Sequence, residues 1–425
     1  MITQALMLFI ILFLLMINGA PMGIALGLST AITLLTTSSL GPTTIATACF
    51  SGLDSFPLLA IPFFILAGNL MRFGGLSKKI LLFADALVGQ IKGSLGMVTV
   101  VGCMFFAALS GSGPATVSAI GSITIPEMEE KGYDKAYGTA LTAAAGTIGV
   151  IIPPSIPFVI YGVTANVSIA DMFKAGVLPG ILIGVALMIV NGITVRKYGW
   201  DCEKTEKFSI RKVLVTLRDT WLALMVPVII LGGIYASIFT PTESAVVGIV
   251  YTLLIGKFVY HELTLKTIYE AFRETVLTNG QTNFLVGFSM AFARFLTMAQ
   301  IPGSIAESIA LIDNKILVLL LINLFLLIVG CFIDNISSML ILTPIFLPIV
   351  ESYGMDPIQF GIMMTVNLCI GFVTPPYGCN LFIATAISNV PILSIAKRII
   401  PMIIAMLIVL MFLTFCPPLS MFLIN

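Results

Sequence analysis

A short oxygen-rich turn between two apolar stretches is the first segment whose residues could do chemistry. It reads Ser110-Gly111-Ser112-Gly113-Pro114-Ala115-Thr116. Gly111 and Gly113 permit backbone angles that are closed to other residues, and Pro114 suits the first position of a helix. A helix that begins here would direct its amide groups, flanked by three hydroxyls, toward an anion. An ordinary glycine-rich turn is the alternative interpretation.

A second polar segment, Asp334-Asn335-Ile336-Ser337-Ser338, interrupts another apolar stretch. An ionisable side chain at membrane depth is costly and is a functional candidate by default. Hard cations take oxygen ligands, so this segment favours a site for a cation such as sodium. Asp334 is equally suited to capping the helix that follows, and the two roles are compatible.

Two pairs of adjacent prolines break further apolar stretches. Pro153-Pro154 lies in the segment 146–155, and Pro375-Pro376 lies in the segment 371–380. Because proline lacks an amide donor, each pair frees upstream carbonyl oxygens and unwinds a spanning helix at its middle. These carbonyls could coordinate a cation, and the second pair has Thr374 and Asn380 as nearby side-chain oxygens. A purely structural kink is the alternative.

These polar breaks lie in a strongly apolar chain of 425 residues. It is 58% hydrophobic and only 10% charged, with a mean hydropathy of +1.10, whereas soluble chains carry about 25% charged residues. The bilayer must therefore be its main solvent. At roughly 20 residues per span, the length allows about ten spans and leaves no room for a sizeable soluble domain. The net charge of +1 gives no reason to expect a nucleic-acid partner.

Hydropathy and helix breakers predict an all-α polytopic membrane protein. The predicted spans are 4–19, 21–38, 57–74, 136–164, 175–195, 220–239, 243–260, 280–298, 357–387 and 400–423. Two more apolar regions, 94–126 and 314–348, carry the polar segments at their centres. We expect these two to be re-entrant hairpins, because irregular backbone at membrane depth is tolerated only inside protein or beside a polar cavity.

The distribution of Lys and Arg orients these spans through the positive-inside rule. Seven of these residues fall within 196–219, which makes that segment a cytoplasmic connection. Counting spans away from it places 18 of the 21 Lys and Arg residues on the cytoplasmic side and three outside. Both termini are then predicted to lie on the outer side.

An internal repeat links the two halves of the chain. Seven residues recur 222 positions later, namely Pro126, Glu129, Gly132, Asp134, Gly149, Pro153 and Pro154. Arg72 and Arg294 share the same offset. Because each half has five spans, an odd number, the halves must be oppositely oriented, which is the inverted-repeat pattern of secondary transporters. A duplicated, purely structural unit is the alternative.

The repeat sets the predicted domain boundaries. Repeat 1 is 1–195, with scaffold helices in 1–92, a hairpin at 94–126 and a broken helix at 136–164. The connecting segment is 196–219. Repeat 2 is 220–425, with scaffold helices in 220–298, a hairpin at 314–348, a broken helix at 357–387 and a last span at 400–423.

No residue pattern supports an enzyme. The single histidine, His261, is predicted at a span end in the half opposite Ser112, so this serine lacks a base within hydrogen-bond reach. The sequence has no His-Glu-x-x-His metal motif and no phosphate-binding loop. Its seven cysteines are scattered and form no C-x-x-C pair, which excludes a recognisable zinc site.

Two other features are predicted to be structural. Thr240-Pro241-Thr242-Glu243 has the pattern of a helix-capping box. Asp54, Arg72 and Arg294 lie near predicted span ends, where long side chains snorkel toward water or contact loops.

Five segments together resemble the large membrane subunit of tripartite ATP-independent periplasmic (TRAP) transporters. They are FPLLAIPFFILAGNLM (56–71), SGSGPATVSAIG (110–121), GTIGVIIPPSIPFVIYG (146–162), FTPTESAVVG (239–248) and GFVTPPYGCNLF (371–382). The resemblance implies a multi-pass protein of the bacterial inner membrane with periplasmic termini. It also implies an elevator-type carrier, in which hairpins and broken helices slide against a fixed scaffold.

The same resemblance implies sodium as the coupling ion, with no other cofactor. It implies two protein partners, a small four-helix membrane subunit and a periplasmic substrate-binding protein, and an organic acid anion as substrate. A sialic acid such as N-acetylneuraminate is the first expectation, and a C4-dicarboxylate is the second. A stand-alone sodium-coupled anion symporter or antiporter with related inverted repeats is the alternative function.

Carried over by motif, the resemblance implies two sets of site residues. The sodium-binding set is Ser110, Ser112, Gly149, Pro153, Asp334, Asn335, Ser337 and Thr374. The substrate-binding set is Ser112, Thr116, Pro154, Ser155, Pro376 and Asn380.

Overall fold

A computed structural model of the chain describes residues 2–37, 41–200, 208–303, 312, 314–375 and 378–424. Every regular element in these ranges is helical, which confirms the predicted all-α class. The helices of the first half are α1 (Ile2–Ile17), α2 (Met22–Thr37), α3 (Thr43–Leu53), α4 (Ala60–Phe73), α5 (Leu76–Val88), α6 (Ser94–Ser110), α7 (Gly113–Glu130), α8 (Lys135–Gly146), α9 (Ile156–Ala165) and α10 (Ile169–Tyr198). Short 3₁₀ turns at Phe56–Leu59 and Thr147–Val150 precede α4 and follow α8.

The second half repeats this order. Its described helices are α11 (Ile210–Tyr235), α12 (Pro241–Phe258), α13 (Leu265–Met298), α14 (Lys315–Gly330), α15 (Asn335–Ser352), α16 (Pro357–Gly371), α17 (Cys379–Ser388), α18 (Ile392–Phe415) and α19 (Pro418–Met421). We call α6–α7 hairpin 1, α8–α9 broken helix 1, α14–α15 hairpin 2 and α16–α17 broken helix 2.

The 222-residue offset seen in the sequence holds for whole helices. Gly113–Glu130 and Asn335–Ser352 begin and end at positions that differ by this offset, and α8 and α16 begin at positions related in the same way. Matching side chains cap these helices: Ser112 and Asp334 on the hairpins, and Asp134 and Asp356 on the broken helices. A side chain that caps a helix satisfies an otherwise unpaired amide, so the duplicated caps explain why duplicated helices start where they do.

Five helices of the described ranges are both long and apolar enough to cross a membrane. They are Phe56–Phe73, Ile169–Tyr198, Ile210–Tyr235, Asn335–Ser352 and Ile392–Phe415. The first, second, third and last coincide with predicted spans, and Asn335–Ser352 is the second arm of hairpin 2. Several other predicted spans overlap shorter apolar helices. Each broken helix, for example, consists of two short helices that together cover one predicted span.

The helix bounds differ from the predicted spans in three places. Hydropathy assigned no element to α3 or α5, which lie between predicted spans. The span predicted at 280–298 is the apolar end of α13, a helix of 34 residues whose first half is polar. The connecting segment predicted at 196–219 is shorter, since α10 continues to Tyr198 and α11 begins at Ile210. Hydropathy detects only lipid-exposed length, whereas helices continue into polar sequence wherever their caps allow.

The two repeats interlock through their broken helices. The second piece of each broken helix packs on the other repeat's hairpin, so that α9 contacts α15 and α17 contacts α7. A hydrogen bond from the Tyr161 hydroxyl to the Pro357 carbonyl (2.6 Å) joins the two broken helices. The scaffold is built differently, from α13 packed along α2, α3 and α4. Hairpins and broken helices therefore form one interlocked unit beside this scaffold.

The predicted capping box at the start of α12 is confirmed. The Glu243 amide donates to the Thr240 hydroxyl (3.3 Å), and the Thr240 amide donates to the Glu243 carboxylate (2.8 Å). Both side chains therefore cap the first turn of α12, which is a structural role.

Candidate functional site

The tip of hairpin 1 lies directly against the break in broken helix 1. Gly111 adopts a left-handed conformation (φ +59°), and a Cβ atom at this position would lie 2.8 Å from the Pro154 carbonyl oxygen. The Ile156 amide donates to the Gly111 carbonyl (3.4 Å). Only glycine permits both this turn and this close approach, which explains why the tip is glycine-rich.

Four predicted site residues come together behind this tip. The Ser110 and Thr116 hydroxyls are 2.8 Å apart, and the Thr116 hydroxyl also donates to the Ser112 carbonyl (2.8 Å). Gly149 packs against the same atoms, since its Cβ would lie 2.3 Å from the Thr116 hydroxyl and 2.6 Å from the Ser112 carbonyl. Hydroxyl and carbonyl oxygens thus converge where the sequence predicted a cation site.

The Pro-Pro break of repeat 1 is fully enclosed in protein. Pro153, Pro154 and Ser155 are buried. The Ser155 hydroxyl donates to the Val150 carbonyl (2.6 Å) and accepts the Phe158 amide (3.4 Å), so it caps α9. Both hydrogen-bonding functions of this hydroxyl are in use, which gives Ser155 a structural role whether or not it also contacts substrate.

At the tip of hairpin 2, Asp334 caps α15. Its carboxylate accepts the Ser337 amide (3.0 Å) and the Ser337 hydroxyl, and the residue is half-buried. Ser337 is fully buried. The capping role predicted as one of two possibilities is therefore present, and the carboxylate keeps further lone pairs for a cation.

Five buried side-chain oxygens in hairpin 2 and broken helix 2 have no hydrogen-bond partner within the described part of the chain. They are Asn335 Oδ1, Ser338 Oγ, Asn367 Oδ1, Asn380 Oδ1 and Thr385 Oγ1. An unpaired buried polar group costs about 1–3 kcal/mol, so a concentration of them needs a compensating ligand. Oxygen atoms that face no donor suit a hard cation, which brings its own positive charge.

Asn380 reaches into repeat 1 although it belongs to repeat 2. Its amide nitrogen donates to the Ala143 carbonyl on α8 (3.1 Å), and its oxygen faces Gly113, whose Cβ would lie 3.2 Å away. Residue spacing placed Asn380 with the second Pro-Pro pair. The structure instead brings it beside the oxygens at the tip of hairpin 1.

Broken helix 2 repeats the close contact with its own hairpin. A Cβ atom on Gly371 would lie 2.2 Å from the Gly330 carbonyl carbon, so the two backbones touch. The Thr374 hydroxyl donates back to the Ile370 carbonyl (2.8 Å). The predicted substrate residue Pro376 lies outside the described residues. The second break is thus held to hairpin 2 as the first is held to hairpin 1.

A cavity of about 310 Å³ opens from the tip of hairpin 1 toward the scaffold. Ser112 and Ser118 of hairpin 1 and Ile336 of hairpin 2 line it on one side. Asn69, Arg72 and Glu274 of the scaffold line the other side, with Arg72 ion-paired to Glu274 and Asn69 donating to the Thr275 hydroxyl (3.0 Å). Sequence reasoning treated Arg72 as a snorkelling side chain and did not consider Glu274. The signal in the sequence that could have marked Arg72 as a functional candidate is the 222-residue offset that it shares with Arg294.

Substitutions at Ser112 test whether this cavity is the solute path. Ser112→Ala and Ser112→Phe both remove the cap on α7, which costs about 0.5–2 kcal/mol, but only the phenylalanine fills the cavity. We expect Ser112→Phe to abolish uptake of the transported solute, and Ser112→Ala to reduce it by about tenfold or less, the value of one hydrogen bond. Uptake into proteoliposomes at equal protein content measures both. Equal uptake by Ser112→Phe and the unsubstituted protein would place the path elsewhere.

The chain matches a family model, the DctM component of tripartite ATP-independent periplasmic transporters, over residues 9–419. It is 45% identical over 408 residues to the isethionate TRAP transporter permease protein DctMQ of Oleidesulfovibrio alaskensis, with 96% of this chain and 64% of that protein covered. It is 41% identical over 402 residues to the C4-dicarboxylate TRAP transporter large permease protein DctM of Pseudomonas aeruginosa, with 94% of each covered. It is 38% identical over 397 residues to the sialic acid TRAP transporter large permease protein SiaM of Vibrio cholerae, covering 93% and 92%.

Two solved transporter structures have a similar fold. The YdaH transporter of Alcanivorax borkumensis matches with a TM-score of 0.63 at 14% identity, covering 90% of this chain and 91% of that one. MtrF of Neisseria gonorrhoeae matches with a TM-score of 0.64 at 12% identity, covering 93% and 95%. At these identities the likeness is one of fold alone.

Proposed function

The chain belongs to the family of the DctM component of tripartite ATP-independent periplasmic transporters, and from this membership we propose that it is the large permease subunit of a sodium-coupled importer of an organic acid anion. It is a multi-pass inner-membrane transporter, and its relatives are permeases rather than enzymes. The single observation that carries the coupling proposal is the cluster of oxygen atoms at each hairpin tip, of which Asn335 Oδ1 and Ser338 Oγ in hairpin 2 have no hydrogen-bond partner in the described part of the chain.

Sodium is the proposed coupling ion because of the chemistry of these oxygens. Asp334 supplies a negative charge, and Asn335 and Ser338 supply buried oxygens without donors in the described part of the chain. A second group of oxygens, from Ser110, Thr116 and the Ser112 carbonyl, lies at the other tip. Two oxygen-lined tips in inverted repeats support one cation site per repeat.

The proposed transport cycle is an elevator motion. Hairpins and broken helices interlock across the repeats, so they can move only together. The scaffold packs directly on the hairpins, α13 on α15 and α5 on α6. Polar cavities also lie between the two units, and unlike a close-packed core they leave room for sliding. In the proposed orientation, with periplasmic termini, the cavity at Ser112 and Arg72 faces the cytoplasm.

An organic acid anion is the proposed substrate class. Three relatives are named as transporters of isethionate, of a C4-dicarboxylate and of sialic acid. All three are small anions with a carboxylate or sulfonate group. N-acetylneuraminate and a C4-dicarboxylate were the expectations from sequence, and isethionate joins them as a candidate.

A periplasmic substrate-binding protein and a small four-helix membrane subunit are the proposed partners. The family description is of a tripartite transporter with a periplasmic component. The chain spans 64% of the length of its DctMQ relative and 94% of the length of its DctM relative. We propose that the small subunit braces the scaffold and that the binding protein delivers the anion.

Reconstitution tests the proposal directly. The chain is purified with its small subunit, placed in proteoliposomes with an inward sodium gradient, and supplied with candidate binding proteins loaded with N-acetylneuraminate, succinate or isethionate. We expect uptake of one acid that requires sodium and its binding protein together. Sodium-driven uptake without any binding protein would instead identify a stand-alone carrier. Uptake that is indifferent to sodium would contradict the coupling proposal.

A further inference from the structure

A second polar cavity is separate from the hairpin tips. It measures about 770 Å³ and lies between α3 and α13 of the scaffold on one side and α9 and α15 on the other. Hydroxyls of Thr43, Thr44, Thr47 and Ser51 line its scaffold wall. Arg294 is the only charged residue among its described lining residues, and its side chain is exposed. The cavity therefore carries one positive charge.

This cavity is related by the repeat to the smaller one at Ser112. Arg294 and Met290 in the large cavity stand 222 residues after Arg72 and Gly68 in the small one, and Gly52 stands 222 residues before Glu274. Three lining positions thus correspond between the two cavities, and their other lining residues do not. Because the repeats are inverted, the two arginines are predicted to lie toward opposite sides of the membrane.

The two cavities differ in whether the arginine has an acidic partner. Arg72 is ion-paired with Glu274 across α4 and α13, and the neighbouring Asn69 donates to Thr275. The positions equivalent to Glu274, Asn69 and Thr275 are Gly52, Ala291 and Leu53, which offer no charge and no side-chain hydrogen bond. Arg294 forms no ion pair within the described residues. One cavity is therefore cationic and its counterpart is internally paired.

We propose that the Arg294 cavity is an anion-receiving vestibule, which binds the carboxylate or sulfonate group of the arriving solute before it reaches the hairpin tips. A guanidinium group binds such planar or tetrahedral oxyanions through paired hydrogen bonds. A cleft with low-dielectric walls and one sign of charge concentrates counter-ions. The surrounding threonine and serine hydroxyls add uncharged donors, and no described acid lines the cavity to repel the solute.

The paired Arg72–Glu274 end has the complementary property. Its charges are already satisfied, so an anion that leaves through this cavity meets no fixed net positive charge. The inverted repeat alone would make the two ends alike, and the Gly52–Glu274 difference makes them unlike. This assignment of entry and exit rests on the proposed function and its orientation, whereas anion binding at Arg294 does not.

Arginine labelling tests the vestibule without any transport. The purified chain with its small subunit, in nanodiscs without a binding protein, is treated with phenylglyoxal, which modifies accessible guanidinium groups, and modification is read by mass spectrometry. Arg273 is the matched control, because it lies on the same helix, is exposed, and pairs with Glu270 outside the cavity (3.3 Å). We expect N-acetylneuraminate, succinate or isethionate at millimolar concentration to slow labelling of Arg294 about fivefold or more, as occupancy by a charge-assisted hydrogen bond requires, while labelling of Arg273 is unchanged. Equal labelling of Arg294 with and without all three acids would overturn the proposal.

Uptake by variants separates the vestibule from a docking contact. Arg294→Gln should raise the half-saturating concentration of loaded binding protein about tenfold, the effect of one charge-assisted hydrogen bond. Arg294→Lys should restore part of this loss, because it returns the charge without the paired hydrogen bonds. The affinity of the binding protein for the transporter, measured separately, should be the same for both variants. If Arg294→Gln weakens this docking by the same factor as uptake, Arg294 contacts the partner protein and the vestibule is refuted. Absence of uptake in the unsubstituted protein would bear on the proposed function only, since labelling still reports on Arg294.

Discussion

Asp334→Asn should abolish sodium-driven uptake while leaving the fold intact. Asparagine caps helices as well as aspartate does, so the start of α15 at Asn335 is preserved and only the negative charge is lost. Removing one partner of a buried charge pair costs about 3–5 kcal/mol, which at 1.4 kcal/mol per factor of ten is roughly a hundredfold or greater loss of sodium affinity. Uptake at saturating acid, measured over a range of sodium concentrations, provides the test.

Asp356 offers a matched control for this substitution. It caps α16 in the same repeat by accepting the Ile358 amide (2.7 Å) and the Gln359 amide (3.3 Å), but it does not lie at a hairpin tip. Asp356→Asn should therefore leave the sodium dependence unchanged. A further variant, Asp334→Ala, removes both charge and cap and should lower thermal stability as well as uptake. Full uptake by Asp334→Asn would remove this carboxylate from the cation site.

Gly149→Ala and Gly371→Ala should each reduce transport by separating a hairpin from its broken helix. The Cβ atom added at position 149 would lie 2.6 Å from the Ser112 carbonyl oxygen, and the one added at position 371 would lie 2.2 Å from the Gly330 carbonyl carbon. Backbone atoms cannot rotate away as side chains do, and overpacking of this kind costs about 1–3 kcal/mol. We expect a lower melting temperature for both variants and uptake reduced by tenfold or more, about the factor that 1.4 kcal/mol provides.

Gly232→Ala on α11 is the control for these substitutions. No heavy atom lies within 4 Å of the Cβ that it would add, and alanine favours the helix by about 1 kcal/mol over glycine. Its melting temperature should be equal or higher. If Gly149→Ala and Gly371→Ala behave like Gly232→Ala, contact between hairpin and broken helix is not required for transport.

Gly149 and Gly371 bear on the packing of the site as well as on its chemistry. Sequence reasoning offered Gly149 as a source of a carbonyl ligand, within a motif interpreted for its chemistry. The structure gives it a second, steric reason, because the hairpin tip touches the broken helix at this residue and at its repeat counterpart Gly371. A missing side chain is what brings Ser112, Thr116 and their oxygens to the break. Close packing of backbone is therefore a condition for the oxygen cluster.

The local features of this protein were predictable from its sequence. Apolar length predicted most of the helices, though not α3 or α5. Polar and proline breaks predicted two hairpins and two broken helices, and the 222-residue offset related them, as the structure reproduces from Gly113 and Asn335 onward. Capping at Asp334 and Thr240 followed equally from near neighbours. All of these features depend either on contacts within a few residues along the chain or on the transfer of one segment into lipid. Both can be inferred from the order of the residues.

What tertiary structure decided is which distant residues meet. Asn380 reaches α8 of the other repeat (3.1 Å to the Ala143 carbonyl), and Arg72 is paired with Glu274 on another helix. The two arginines related by the repeat look equivalent in sequence, yet only Arg72 faces an acid. Partners separated by some 200 residues are set by how the two repeats interlock, and no periodicity or motif within either repeat contains that arrangement.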